Sequence, residues 1–220
     1  MIMRMAAVAA VMLWGSVTLA ADEYRVEKLE AGPPADALSA EIIEKLTPTG
    51  FRVLGEDDQV VCEVWPVKQL DVKPDFQPTL SILYPLKSGS LVGALHFPHK
   101  GTDFRGQEIE SGTYTLRYGQ QPQDGNHIGT FDTRDFVLML PAAADRDPKT
   151  FEGEGFVETS GEASGSTHPA IIPLLEPLEG DEATLTHLEE PEWWVLHITS
   201  KDAEGKTVPV ELIVVGESDE

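Results

Sequence analysis

The chain has 220 residues and sets 16 Lys and Arg against 38 Asp and Glu, a formal net charge of −22. That balance repels phosphate backbones and anionic headgroups, so it excludes nucleic acid as a partner and leaves neutral, cationic or metallic ones. The lone cysteine, Cys62, excludes an internal disulfide, and stability has to come from packing.

The chain opens with Arg4, an apolar run over 6–19 (AAVAAVMLWGSVTL) and Thr18-Leu19-Ala20, which puts small residues where a signal peptidase reads. Residues 1–20 therefore read as a signal peptide, cleaved after Ala20. The run falls short of the about 20 residues a membrane span needs, and Asp22 and Glu23 follow at once. No cysteine follows it to carry a lipid. The expected product is secreted or periplasmic, with no membrane span after processing.

Residues 21–49 form an N-terminal segment with one predicted helix over 34–46. Pro34 opens it, Leu38, Ile42 and Leu46 recur on one face, and Pro48 and Gly50 end it. Over 50–216 the punctuation is that of β structure. Strands at 51–54 and 60–67 flank Gly55-Glu56-Asp57-Asp58 as a hairpin. Cys62 sits in the apolar run of the second strand and reads as an inert core thiol. A Pro-rich connection over 73–78 leads to strands at 80–84 and 91–97, separated by a turn at 87–90.

Tyr114, Leu116 and Tyr118 alternate with Thr113, Thr115 and Arg117, the pattern of a strand with one buried and one wet face. Residues 135–140 (DFVLML) do not alternate and predict a strand covered on both sides. Residues 145–169 are poor in large apolar side chains and carry Gly153, Gly155, Gly161 and Gly165, which predicts a long mobile loop. Strands at 170–175, 183–188, 193–199 and 207–215 close the domain, and 217–220 form a solvated acidic tail. About nine short strands with one N-terminal helix make an all-β single domain, a β-sandwich or jelly roll, with an open-ended barrel as the alternative.

Six histidines are the main candidates for chemistry. His96 and His99 end one strand, His127 lies in the loop after the alternating strand, and His168 ends the predicted mobile loop. Loops gather at the ends of a sandwich, so His96, His99, His127 and His168 form a candidate site for a divalent transition metal, with Asp124 as a further ligand or orienting partner. The spacing argues against it. H-x-x-H on a strand sends the two rings to opposite faces unless Pro98 breaks the strand, and neither H-E-x-x-H nor the H-x-H of the cupins occurs. The leading expectation is no cofactor. A serine elbow is absent, because Gly161-Glu162-Ala163-Ser164-Gly165 lacks the central serine. Among 38 acids no catalytic pair stands out, so catalytic residues stay unassigned and the chain reads as a non-enzyme. Trp193 and Trp194 point to opposite faces of a strand, one to the core and one outward as a sugar-stacking surface. Arg134, between Asp132 and Asp135, is expected to be held by carboxylates and to fix a loop.

The segment Ile109-x-x-Gly112-Thr113-Tyr114-Thr115-Leu116 resembles a signature strand of exported bacterial β proteins of unknown function. Residues 112–145 (GTYTLRYGQQPQDGNHIGTFDTRDFVLMLPAAAD) and 163–170 (ASGSTHPA) are similar to a set of uncharacterised secreted bacterial proteins. The resemblance covers part of the chain and implies a secreted all-β fold with no reaction attached. It singles out Asp124, Asn126, His127, Arg134, Asp135 and His168. The expected function is an exported, non-catalytic binding or accessory protein of the bacterial cell envelope. Its site would be Asp124, Asn126, His127, Arg134 and His168, and its partner a small molecule, a glycan or an envelope protein. The alternatives are a metal-binding protein or metal-dependent enzyme built on the loop histidines, and a purely structural envelope protein.

Overall fold

A computed structural model describes residues 23–124, 131–151 and 153–218. Seven antiparallel strands form one sheet in the order β1 (Arg25–Leu29), β2 (Gly50–Leu54), β3 (Val60–Pro66), β4 (Leu91–Phe97), β7 (Gly112–Gln120), β8 (Asp135–Pro141) and β9 (Ile171–Pro173). The ribbon of β5 (Gly101–Thr102) and β6 (Glu108–Ile109) projects from the β4–β7 connection. A second sheet holds β10 (Thr184–Leu188), β11 (Trp193–Lys201) and β12 (Thr207–Val215). Side chains of both sheets, among them Val64, Leu95, Leu116 and Val137 opposite Leu196, Ile198, Val210 and Leu212, share one core. The sheets meet at two seams. Leu175 N–H donates to the Glu211 carbonyl at 3.1 Å, and Ser200 Oγ donates to the Val67 carbonyl at 2.7 Å. The expected all-β sandwich is thus the observed fold. Among the described residues no helix is long and apolar enough to cross a membrane. The predicted signal peptide lies outside the described residues, as do Asn126 and His127.

The predicted 55–58 turn is present, with Asp57 and Asp58 at φ 54° and 61° and Gly55 N–H bonded to the Gln59 carbonyl. Cys62 is fully buried on β3. Desolvation, helped by the charge of Glu63, pushes its thiol up to about 12. A thiolate is the reactive form, so a chromogenic disulfide reagent is expected to leave the native protein unlabelled and to label one thiol once denaturant is added.

Several boundaries differ from the predicted ones, each for a local reason. The N-terminal helix is only α1 (Ala40–Lys45), because Ser39 caps it by accepting from Ile42 N–H, while Pro34 opens a preceding turn instead. Leu38, Ile42 and Leu46 are nevertheless buried together. Residues 80–84 join no sheet: Thr79 Oγ1 accepts from Ser81 and Ile82 N–H, and Leu83 N–H donates to the Asp135 carboxylate. The predicted mobile loop contains α2 (Gly155–Ser164), ended by Gly165 in the left-handed region at φ 62°. The predicted tail is pinned at its start, since Ser218 N–H donates to the Phe104 carbonyl.

The face of β7 expected to be wet is covered. Thr115 and Arg117 are both fully buried, beneath the 145–151 segment. Residues 135–140 do have two covered faces. Val137 and Met139 enter the sandwich core, while Leu138 and Leu140 pack against Phe156 of α2.

Candidate functional site

Of the four buried residues of α2, three, Ser160, Gly161 and Ala163, are small, and that lets the helix lie close to the sheet. Ser160 Oγ donates to the Met139 carbonyl at 2.9 Å and accepts from Ala170 N–H at 3.0 Å, stitching the helix to β8 and to the approach to β9. A Cβ on Gly161 would stand 2.7 Å from the Ser166 carbonyl oxygen, so only glycine permits this approach. At its N-terminal end, beside the Phe156 contact with β8, helix and sheet together line a cavity of about 180 Å³. Phe136, Leu138, Phe156, Val157 and Ile171 make it apolar. Gly119 of β7 keeps it open, because a Cβ there would come within 2.5 Å of Leu138 Cδ1.

The polar rim of the cavity comes from separate elements: Arg105, Gln120, Gln121, Glu154 and His168. Arg105 is placed by Asp103, a buried carboxylate in the β5–β6 turn. Asp103 Oδ1 accepts from the N–H groups of Arg105 and Gln107, and Oδ2 accepts from Gln107 Nε2 and Ile171 N–H. His168 is placed by Ser164 and Ser166, whose hydroxyls both donate to its carbonyl oxygen. Those serines therefore serve the backbone of the turn. Gln120 Nε2 donates to Tyr118 Oη at 2.9 Å, and Tyr118 Oη donates to Asp135 Oδ1 at 2.5 Å.

Asp135 links the cavity wall to the core. Its second oxygen accepts from Leu83 N–H at 2.6 Å. Burial holds its carboxyl above the ordinary value of 3.8 even though the donors around it favour the charged form. A raised folded-state value means that Asp135 supports folding below 3.8 and loses that contribution as pH rises through its folded value. Asp135→Asn is therefore expected to destabilise most at low pH, and its deficit against the parent protein to shrink toward neutrality. Urea denaturation across a pH series checks this.

The described members of the predicted site, Asp124, Arg134 and His168, stand on different segments. His168 stands on the cavity rim. Asp124 lies exposed on the bend beyond β7. Arg134 clasps the base of the β7–β8 connection: its Nε donates to the Gln121 carbonyl at 2.7 Å, and Gln121 N–H returns a bond to its carbonyl. It fixes a loop, as expected, with a backbone carbonyl as acceptor, while the flanking Asp135 turns to Tyr118 and Leu83.

Among the described residues the histidines of the predicted metal site, His96, His99 and His168, do not assemble into one. His96 on β4 has its Nδ1 3.1 Å from Oγ1 of Thr113 on β7, and His99 is exposed just past β4. β7 and β8 stand between β4, which carries His96, and β9, which follows His168, so these two strands lie three spacings of about 4.8 Å apart. Among the described residues no three His, Cys, Asp or Glu side chains come together to hold a metal ion. His197, on β11, is buried against Glu211 with Nδ1 2.5 Å from Oε1, and His187 stacks on Trp194 with ring centroids 4.3 Å apart. Trp194 is the core member of its pair and Trp193 the partly exposed one, as the alternation predicts.

Arg105, Gln120, Gln121 and Phe156 escape a reading of the sequence, because they come from three distant segments. The available signal was Phe156 followed by the small residues Ser160 and Ala163 at helical spacing, then Gly165 as a C-terminal stop. Set against family models, curated proteins and solved structures, the chain matches none of them.

Proposed function

We propose that the protein is exported and acts as a non-catalytic accessory binding protein of the cell envelope, with its ligand site beneath α2. One observation carries the reading: an apolar cavity of about 180 Å³ walled by Phe136, Leu138 and Phe156, with Arg105 and His168 at its mouth. Concave apolar walls with a few polar groups at one end are the usual design of a small-molecule site. The volume suits one apolar group of a ligand whose polar end stays at the rim. The leader-like residues 1–20 support export, and the segments 112–145 and 163–170 support kinship with uncharacterised secreted bacterial β proteins.

A thermal-shift screen of protein lacking residues 1–20 tests the site, using small amphiphilic molecules, glycans and metal salts. A stabilising amphiphile is expected, and its effect should diminish in Arg105→Ala and His168→Ala, both at exposed positions. The reading fails if no amphiphile stabilises the protein, or if the shift is unchanged in both variants. N-terminal sequencing of protein recovered outside the cytoplasm is expected to begin at Ala21.

A further inference from the structure

Phe136, which lines the cavity beneath α2, also touches Phe131 with ring centroids 5.5 Å apart. Phe131 belongs to a different cleft, of about 950 Å³. Its floor is a cluster of three rings from three elements: Phe104, Phe131 and Trp193, with centroids 5.3–5.7 Å apart. Phe104 is buried, whereas Phe131 and Trp193 keep part of their surface in solvent. Leu80, 99% exposed, stands at the lip. The β11 backbone holds Trp193, and its Nε1 donates to the Glu217 carbonyl at 3.1 Å, so the ring is fixed before any ligand arrives.

The polar groups of the cleft have one sign. Asp132 and Glu176 line it, both are exposed, and neither has a hydrogen-bond or ion-pair partner among the described residues. No Lys, Arg or His is among the described lining residues. The threonine hydroxyls are already engaged: Thr79 Oγ1 accepts within its own turn, and Thr133 Oγ1 donates to the Leu174 carbonyl. Ring faces carry negative quadrupole potential and attract cations, and two carboxylates without counter-ions add to that attraction. The field of a chain with net charge −22 concentrates cations around it and repels anions.

We propose that this cleft binds a small organic ammonium ion, with the onium group against the Trp193 and Phe131 rings and Asp132 and Glu176 as its counter-charges. The site is distinct from the cavity beneath α2, and the proposal stands independently of the function assigned to that cavity. A neutral sugar would use the same rings and carboxylates but gains nothing from the net charge, so the experiment separates the two.

Calorimetric titration of the protein lacking residues 1–20 uses choline and the neutral alcohol in which carbon replaces its quaternary nitrogen. Saturable choline binding is expected, about tenfold tighter than that of the alcohol, and weakened by added salt. Asp132→Asn combined with Glu176→Gln is expected to weaken choline binding about tenfold, and so is Trp193→Ala. Arg105→Ala is expected to leave it unchanged. The carboxylate variant alters only exposed side chains and keeps the test decisive if Trp193→Ala fails to fold. Absence of saturable choline binding, equal binding of the alcohol, or choline binding indifferent to the carboxylate variant would each overturn the proposal, as would binding of a neutral oligosaccharide by a protein silent to choline.

Discussion

Replacing Arg117 with Met is expected to destabilise the protein by about 3–5 kcal/mol, because it strands a buried carboxylate. Arg117 is fully buried on β7, and all five of its N–H bonds are used. Nε and Nη2 donate to the two oxygens of Asp145 at 2.7 and 2.8 Å, and the remaining three reach the carbonyls of Gly89, Lys149 and Asp147. Thr115 Oγ1 donates to the same carboxylate, and the Phe151 ring lies 5.1 Å from the guanidinium carbon. Lysine has the charge but not the planar fork, so Arg117→Lys still leaves carbonyls unpaired, at roughly 1–3 kcal/mol for each buried group. Replacing both partners, as Arg117→Met with Asp145→Leu, is expected to recover much of the loss, since no charge is then left buried alone. Urea denaturation of the two single variants and the double variant measures the coupling. Additive single effects would show that the pair acts independently and would refute this account.

The same residue marks the limit of what local pattern reveals. Thr113, Thr115 and Arg117 have the composition of a solvated strand face, and the period-two rule assigns them to water. The cover of Thr115 and Arg117 comes from the 145–151 segment, about thirty residues further on, through bonds that no local periodicity encodes. A charge inside a strand is read as exposed unless its partner is known, and here the partner is Asp145. By contrast, Leu38, Ile42 and Leu46, Cys62, the non-alternating 135–140 run and the final hairpin were legible, because each is decided by its own neighbours.

Helix α2 was illegible for a related reason. It docks through Ser160, Gly161 and Ala163, whose value lies in close approach and not in apolar bulk, so a search for large hydrophobic side chains reads the segment as a loop. Of the candidate site, only His168 was visible in advance. The cleft leaves two traces in the sequence: the Trp193-Trp194 pair, one ring of which the alternation turns outward, and the single aromatics Phe104 and Phe131, each flanked by polar residues.

Trp65→Ala is expected to cost about 3–5 kcal/mol, the range for removing a large buried aromatic. Trp65 is 1% exposed on β3, and its Nε1 donates to the Ala31 carbonyl at 3.0 Å, tying the segment between β1 and α1 to the sheet. Small neighbours make its place. Ala94 lies opposite on β4, and a Cβ on Gly50 of β2 would stand 2.8 Å from two atoms of the indole. The Trp-to-Ala change therefore opens a void that its strand partners cannot fill, and it leaves the Ala31 carbonyl without its donor. Gly50→Ala is expected to destabilise the parent protein through that clash. In the Trp65→Ala background it should cost less but not nothing, because the same Cβ also lies 2.7 Å from the Val64 carbonyl oxygen, which is backbone and stays in place. The combined variant is thus expected to lose less stability than the two single losses added together, by the part of the clash that belongs to the indole. Chemical denaturation of the four proteins checks it, and strict additivity would mean that Gly50 is required by the backbone alone.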